Sequence, residues 1–464
     1  MNQERKNIVI IGCGAAGGTT AQFARKTDRN ATITLIEKGA YPQYSKCGLP
    51  YAIAGVIPKI ENLIEFSEEW FKKEHIELLL NTTIERIDLH QQTVYAKQGA
   101  EHLEKHYNKL ILATGATPWI PPIQNIQKNG QLLHNTHMLR TLDDGKNILA
   151  NVHKGKHAVV IGAGLIGLEM ADTLHKKGMK VTVVEALPHI LATTLDDDMN
   201  EQVLQTIQEN ITVYTNHYAI RVEHQQNTIQ TLIIKDATTQ EEKQLPVDLL
   251  ILATGTKPEV TLAKSIGCII GKTGGIQVNE RSETSLPHVY AAGDCTEYKD
   301  FVTHEPLCAG LGSIAVRQGI AAGINAAGGA YTLPPGVLLS RTSEFFGLEI
   351  AAVGPTQTSL QNTSLVTGKF NGSSLPEYFP GGEPITIKVA ADENTGKILY
   401  AQAIGKNAGQ RINVYACAIL KGATIDELKK LETTYAPPIA PTLDAVTLAC
   451  DVASLKLARK RRSP

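Results

Sequence analysis

The chain has 464 residues, a net charge of −1 and 20% charged residues, which leaves room for two to four domains and excludes nucleic-acid or anionic-membrane binding driven by overall charge. Its hydrophobic fraction of 42% is that of a folded globular protein, and no apolar run is long enough to span a bilayer or act as a signal peptide. The seven cysteines are odd in number and form no Cys-x-x-Cys pair, so no disulfide framework and no metal site is expected, and a reducing, cytoplasmic setting is.

Asn7–Ile11 is a short apolar run that predicts a buried parallel strand. Gly12-Cys13-Gly14-Ala15-Ala16-Gly17 follows, then a small-residue helix over 15–27 and a second strand closed by Glu37 and Lys38. This is a βαβ unit with G-x-G-x-x-G at its first turn. Gly12 makes the tight turn, Gly14 admits a pyrophosphate, Gly17 packs helix on strand, and Glu37 accepts from a ribose hydroxyl. Next comes Tyr44-Ser45-Lys46-Cys47-Gly48-Leu49-Pro50-Tyr51. Gly and Pro beside Cys47 fix the backbone and place the thiol. It reads either as a reactive thiolate or as a buried core cysteine. Residues 60–80 carry helical spacing around Trp70, Phe71 and His75, and alternating segments near 84–96 and 100–113 predict a small antiparallel excursion. That excursion ends in a strand running into Ala113-Thr114-Gly115. Pro118, Pro121 and Pro122 then mark a domain crossing.

The pattern recurs after the crossing. A strand over 158–161 leads into Gly162-Ala163-Gly164-Leu165-Ile166-Gly167, a helix carrying Glu169, and a strand ending in Glu185. A second dinucleotide site is therefore expected, and Glu185 favours NADH over NADPH because a carboxylate repels a 2′-phosphate. Helix then strand is read over 196–214. A second Ala-Thr-Gly ending at Gly255 marks the return to the first domain, and a further buried strand ends in Gly293-Asp294. Pro306 and Leu307 precede an Ala/Gly-rich helix, roughly 308–327, whose N-terminus can face an anion. β-type alternation marks 349–353 and 385–389, helices are read near 409–421 and 424–431, and the basic residues 459–462 read as a solvated tail.

Two fingerprints, two Ala-Thr-Gly strand ends, Gly-Asp, and a late Tyr435-Ala-Pro-Pro in this order resemble the flavin-dependent pyridine nucleotide–disulfide oxidoreductases over nearly the whole chain. The lone cysteine of Cys-Gly-Leu-Pro-Tyr narrows the likeness to the single-cysteine branch, which holds coenzyme A disulfide reductases, NADH oxidases and peroxidases, and persulfide reductases. The resemblance implies an α/β fold with two Rossmann-like dinucleotide-binding domains, glutathione-reductase-like, and a C-terminal α+β dimerisation domain. The division expected is 1–117 with 250–330 for FAD, 118–249 for NAD(P)H, and 335–464 for a homodimer contact.

By the same likeness, Gly12, Gly14, Ala15, Ala16, Gly17, Glu37 and Lys38 hold the FAD adenosine and pyrophosphate, and Thr114 and Gly115 lie against it. Gly293 and Asp294 meet the ribityl chain, and Pro306 and Leu307 lead into the helix facing the flavin pyrimidine. Gly162, Gly164, Leu165, Ile166, Gly167, Glu185 and Gly255 serve the nicotinamide nucleotide, with Glu169 near the nicotinamide. Cys47 is the redox-active thiol. Tyr435, and Tyr378 with it, reach the partner's site. The chain departs from the family at Ala52, where two-cysteine members have their second sulfur, and at Ala15, where peroxidases and water-forming oxidases carry His. Gln43 and Lys46 stand where coenzyme A disulfide reductases often have Ser and Asn. The function implied is electron transfer from NADH through FAD and Cys47 to a small disulfide or persulfide, coenzyme A disulfide first. The alternatives are an NADH oxidase and, in another class, a flavoprotein that signals or binds partners in its reduced state.

Overall fold

The structure is a computed structural model that describes residues 6–462. The lead-in Met1–Arg5 and residues 463–464 lie outside it. A five-stranded parallel sheet carries the first fingerprint, in the order Val289–Ala291, Lys109–Leu112, Asn7–Ile11, Thr32–Ile36, Ile76–Leu79. Its strands are short and apolar throughout because both faces are covered: Ile8 and Ile10 pack on one side, Val9 and Ile11 on the other. A second parallel sheet repeats the plan with Thr136–Met138, Leu249–Leu252, His157–Ile161, Lys180–Val184 and Thr212–Tyr214. Each sheet has a three-stranded antiparallel companion, over 82–106 and 217–246.

The strand before the second Ala-Thr-Gly belongs to the second sheet, where Leu250 pairs with Val159 on one side and Thr136 on the other. The return to the first sheet is therefore not at 250. It falls at Thr256–Pro258, which pairs antiparallel with Ala116–Pro118, so the chain crosses as a two-stranded ribbon. The helical spacing over 60–80 was likewise only partly realised. Glu68–Lys73 is a helix capped by Ser67, but Ile76–Leu79 joins the first sheet as an edge strand. The Ala/Gly-rich helix is Gly312–Ala326, starting later than expected because Pro306–Leu307 is held as a short strand against Tyr298–Lys299. It crosses the first fingerprint helix closely. A Cβ on Gly319 or Gly323 would press on the carbonyl oxygens of Ala16 and Thr20, each 2.5 Å away.

The third sheet is antiparallel, in the order Arg341–Phe345, Leu348–Val353, Ile398–Gly405, Pro384–Asp392, Leu365–Ser373. Helices Ala408–Lys421 and Ala445–Arg462 cover it. The basic stretch 459–462 is thus the last turn of an 18-residue helix, not a free tail. Lys460 pairs with Glu393 and Arg461 donates to the Glu393 and Asn394 carbonyls. Among the described residues no helix is long and apolar enough to cross a membrane.

Candidate active site

The two fingerprints fold alike. Gly12 and Gly162 both have φ of +102°, in the left-handed region where a side chain is strained. A Cβ there would collide with the carbonyls of Ala113 and Ala253, and one on Gly17 or Gly167 would collide with the carbonyl of Gly12 or Gly162. Gly14 and Gly164, by contrast, face open space, with nothing within 4 Å of a would-be Cβ. Their helices, Ala15–Thr27 and Leu165–Lys176, have no side-chain cap, so first-turn N–H groups are free for a phosphate. Glu37 accepts from the backbone N–H groups of Cys13 (2.6 Å) and Gly39 (2.7 Å). Glu185 does the same with Ala163 (2.7 Å) and Leu187 (2.8 Å). Each acid is thereby locked at its strand end beside the glycine turn.

Both turns open onto one cleft of about 2150 Å³. Of the residues singled out in the sequence it is lined by Gly12, Gly14, Ala15, Ala16, Glu37, Lys38, Cys47, Thr114, Gly115, Gly164, Leu165, Ile166, Glu169, Gly255, Gly293, Asp294 and Leu307. Gly17, Gly162, Gly167, Glu185 and Pro306 stand behind this wall. Thr114 lines the cleft, yet its hydroxyl is spent on the Glu259 carbonyl at 2.6 Å, and Thr254 donates to the Trp119 carbonyl at 2.6 Å. The paired Ala-Thr-Gly motifs therefore pin the crossing ribbon. Gly293 is fixed by the buried Gln318, whose side-chain oxygen accepts from the Gly293 N–H and the Thr296 hydroxyl.

One group that lies in the cleft had no spacing to reveal it. Arg140 reaches across from the second sheet's side, and its Nη2 donates to Asp294 at 2.7 Å. Its Nε is buried with no partner. An orphaned guanidinium N–H, free helix-start N–H groups and glycines open to the cavity suit a dinucleotide with an anionic pyrophosphate. The residues present fit a bound FAD at the first fingerprint and a nicotinamide nucleotide at the second.

Cys47 lies in a short turn of helix, Lys46–Gly48, that runs into Leu49–Ala54. Ala52, five residues on, is buried in a small apolar cluster with Leu49 and Leu63. A Cβ on Gly312 would stand 3.9 Å from Cys47 Sγ, so the thiol sits beside the N-terminus of the long helix. That end favours a thiolate. Cys47 opens to the cleft, yet enough protein surrounds it that burial is the main cause raising its pKa, with the charges of Glu169 and Asp294 adding to this and Arg140 opposing it. The cation beside the thiol that counts is Arg140. Lys46 is itself pushed down, first by burial and then by Arg140. Gln43 is buried and donates to Glu65 at 2.9 Å, so it presents nothing to a substrate.

Tyr378 and Tyr435 do not line this cleft. Their hydroxyls lie 2.7 Å apart on an exposed face of the third sheet's domain. Residues 6–323 match the family described as pyridine nucleotide-disulphide oxidoreductase, and 341–446 match that family's dimerisation domain. The chain belongs to this family. It is similar to an NADH oxidase of Methanocaldococcus jannaschii, 38% identical over 97% of this chain and 99% of that one. It is also similar to a CoA-dependent NAD(P)H sulfur oxidoreductase of Pyrococcus abyssi, 30% identical over 97% and 98%. The solved structure of an NAD-dependent persulfide reductase from A. fulgidus superposes with a TM-score of 0.92 at 33% identity, covering 97% of this chain and 83% of that one. The protein is thus an NAD(P)H-dependent flavoprotein oxidoreductase, with FAD and NADH as its cofactors.

Proposed function

We propose that the enzyme reduces a sulfur–sulfur bond in a small molecule, coenzyme A disulfide first among the candidates, through Cys47. The carrying observation is Cys47, among the described residues the one exposed thiol of the three that line the cleft, since Cys13 is buried and Cys308 is half-buried against the Thr273 hydroxyl. Cys47 lines the cleft that both fingerprints share, next to a helix N-terminus, with Ala52 where a second sulfur would be needed for an internal disulfide. The other sulfur must come from the substrate. Bound FAD supplies the electron pair, which originates as hydride on NADH. Cys47 thiolate attacks the substrate S–S bond, forms a mixed disulfide and releases one thiolate. The electron pair then breaks the mixed disulfide, freeing the second thiolate and restoring Cys47. The Tyr378–Tyr435 pair, reaching from a partner, protonates the leaving sulfur. Exposed apolar side chains near Tyr435 in the chain, Leu431, Ile439 and Leu443, support a homodimer through this domain. We assign the FAD domain to the first sheet and its companions, with the boundary at the ribbon, and the setting to the cytoplasm.

The test is anaerobic. NADH loss that requires added coenzyme A disulfide and releases free thiol supports the proposal. Loss that needs air and ignores the disulfide supports the NADH oxidase reading, which the 38% relative favours.

A further inference from the structure

An arginine of the third domain ties down the loop that supports the second fingerprint. Arg341 opens the strand Arg341–Phe345 and lines the cleft. Its Nη2 donates to the Thr193 carbonyl of the second sheet's domain at 2.8 Å. Its Nη1 donates to the Leu339 carbonyl at 2.6 Å and the Gly354 carbonyl at 3.3 Å. These partners are backbone carbonyls of two domains, so the guanidinium fixes backbone to backbone. Both sides of the tie are strained. Leu191 has φ of +50° and Leu339 of +52°, in the left-handed region that a bulky side chain seldom occupies. Such residues persist where their surroundings hold them there. The Leu191 N–H donates to the Ala163 carbonyl at 2.9 Å, and the Leu191 carbonyl accepts from Thr194 at 2.7 Å and Leu195 at 3.0 Å. Ala163, between Gly162 and Gly164, is therefore held at both ends, its N–H by Glu185 and its carbonyl by Leu191. Thr193 and Thr194 line the cleft next to it. Asp196 anchors the far end of the same loop. It stands at the N-cap of Asp197–Gln208 but makes no side-chain cap there. Its carboxylate goes instead to the third domain, accepting from the Gln357 N–H at 2.9 Å and the Tyr400 hydroxyl at 2.7 Å.

We propose that Arg341 is a positioning residue for the nicotinamide nucleotide: by holding the Thr193 carbonyl to the third domain it keeps the Leu191 loop folded against Ala163, and so preforms the glycine turn that takes the dinucleotide's pyrophosphate. The Ala163 peptide leads into Gly164 and the helix Leu165–Lys176, which has no side-chain cap. Its tilt sets where the free N–H groups of that helix point. With Arg341 in place, the strain at Leu191 and the ordering of its loop are met on folding. Without Arg341, Leu191 leaves the left-handed region and the Ala163 carbonyl loses its donor. The turn is then ordered only as the nucleotide binds, at a cost in affinity. The first fingerprint turn is fixed by Glu37 on the other parallel sheet, so flavin binding does not depend on Arg341. The proposal concerns the binding of NADH and stands whichever acceptor Cys47 serves.

The experiment compares flavin-loaded parent and Arg341→Met, which keeps the length of the stem and removes the donors. ADP-ribose, which carries the pyrophosphate and cannot reduce flavin, is titrated by calorimetry. Reduction of the bound flavin by NADH is followed anaerobically by stopped-flow absorbance. The Kd for ADP-ribose and the NADH concentration giving half the limiting rate both rise about tenfold, the size of one lost hydrogen bond to a charged group. Flavin content and the limiting rate of reduction stay near the parent's. Arg341→Lys keeps the charge but its ammonium does not span three carbonyls, so it raises both constants about threefold. The lysine variant carries the test if the methionine variant does not fold. A parent-like Kd for ADP-ribose in the folded variant overturns the proposal even if its Tm has fallen, because an arginine that only joins two domains lowers stability without weakening the nucleotide. A fall in the limiting rate at unchanged Kd overturns it too. Neither readout involves Cys47 or a disulfide, so this failure is distinct from failure of coenzyme A disulfide as substrate.

Discussion

Cys47 is held between opposing influences. Burial, then Glu169 and Asp294, raise its pKa, while Arg140 and the N-terminus of Gly312–Ala326 favour the thiolate. Replacing Cys47 by Ser removes the nucleophile without touching either fingerprint. The variant should keep its flavin and its reduction by NADH while disulfide-dependent turnover falls to background. Flavin reduction followed by absorbance, beside thiol release, separates the two; residual thiol release near the parent's rate counts against Cys47. Much of this was legible in the chain: Gly48 and Pro50 mark a fixed backbone at Cys47, and Glu37 and Glu185 stand at set distances from their glycines. Arg140 was not, because a single Arg between Leu139 and Thr141 carries no spacing signal and acts only across the fold on Asp294. Arg341 was hidden for the same reason, lying 148 positions from Thr193, whose carbonyl it meets.

Elements were legible where they are local and repetitive. The fingerprint helix Ala15–Thr27 matches its expected span, as its glycine turn and apolar strand dictate. The last helix was not read, although Val446, Ala449, Cys450, Ala453 and Leu457 recur at helical spacing and are buried on one face. A seam that no local pattern announces ties the second sheet's domain to the third. Lys388 on the strand Pro384–Asp392 pairs with Asp196 at 2.8 Å and Asp198 at 2.6 Å, and the Tyr400 hydroxyl donates to Asp196 at 2.7 Å. Burial works against ionising Asp198, but hydrogen bonds and charge from Lys388 and then Lys369 outweigh it and hold the carboxyl below its usual value. Burial likewise works against charging Lys388, and its two carboxylates outweigh that and raise it. The Asp198 contribution is therefore present above its unfolded pKa and fades as pH falls through the lower folded one. The Lys388 contribution is present below its unfolded pKa and fades as pH rises through the higher folded one. Lys388→Met leaves Asp196 buried without its cation and should cost about 3–5 kcal/mol. Unfolding of the flavin-loaded protein across pH should show the gap to the parent widest near neutrality and narrower at both extremes. A gap that does not vary with pH would refute this account.

At the scale of the whole molecule, the question is which subunit completes which site. In one chain the Tyr378–Tyr435 pair stands on an exposed face and not in the cleft that holds Cys47. A hydroxyl pair 2.7 Å apart shares a proton well, since either oxygen can donate. It is of use to a departing thiolate only if it reaches one. In two copies related by a two-fold axis through the matched dimerisation domain the contact is reciprocal, so a pair that reaches the partner's thiol in one direction does so in both. Mixed dimers decide this. A Cys47→Ser chain joined to a Tyr378→Phe/Tyr435→Phe chain holds one site that has both Cys47 and the partner's tyrosines, and one site that has neither. If the tyrosines act across the interface, the mixed dimer should recover about half of the parent's turnover, one intact site of the two. If they act within their own chain, neither site is complete and the mixture stays as inactive as its components. The measurement needs differently tagged chains, tandem purification of the mixed species and the anaerobic disulfide assay. The double phenylalanine homodimer must itself be impaired, or the tyrosines have no part in protonating the sulfur.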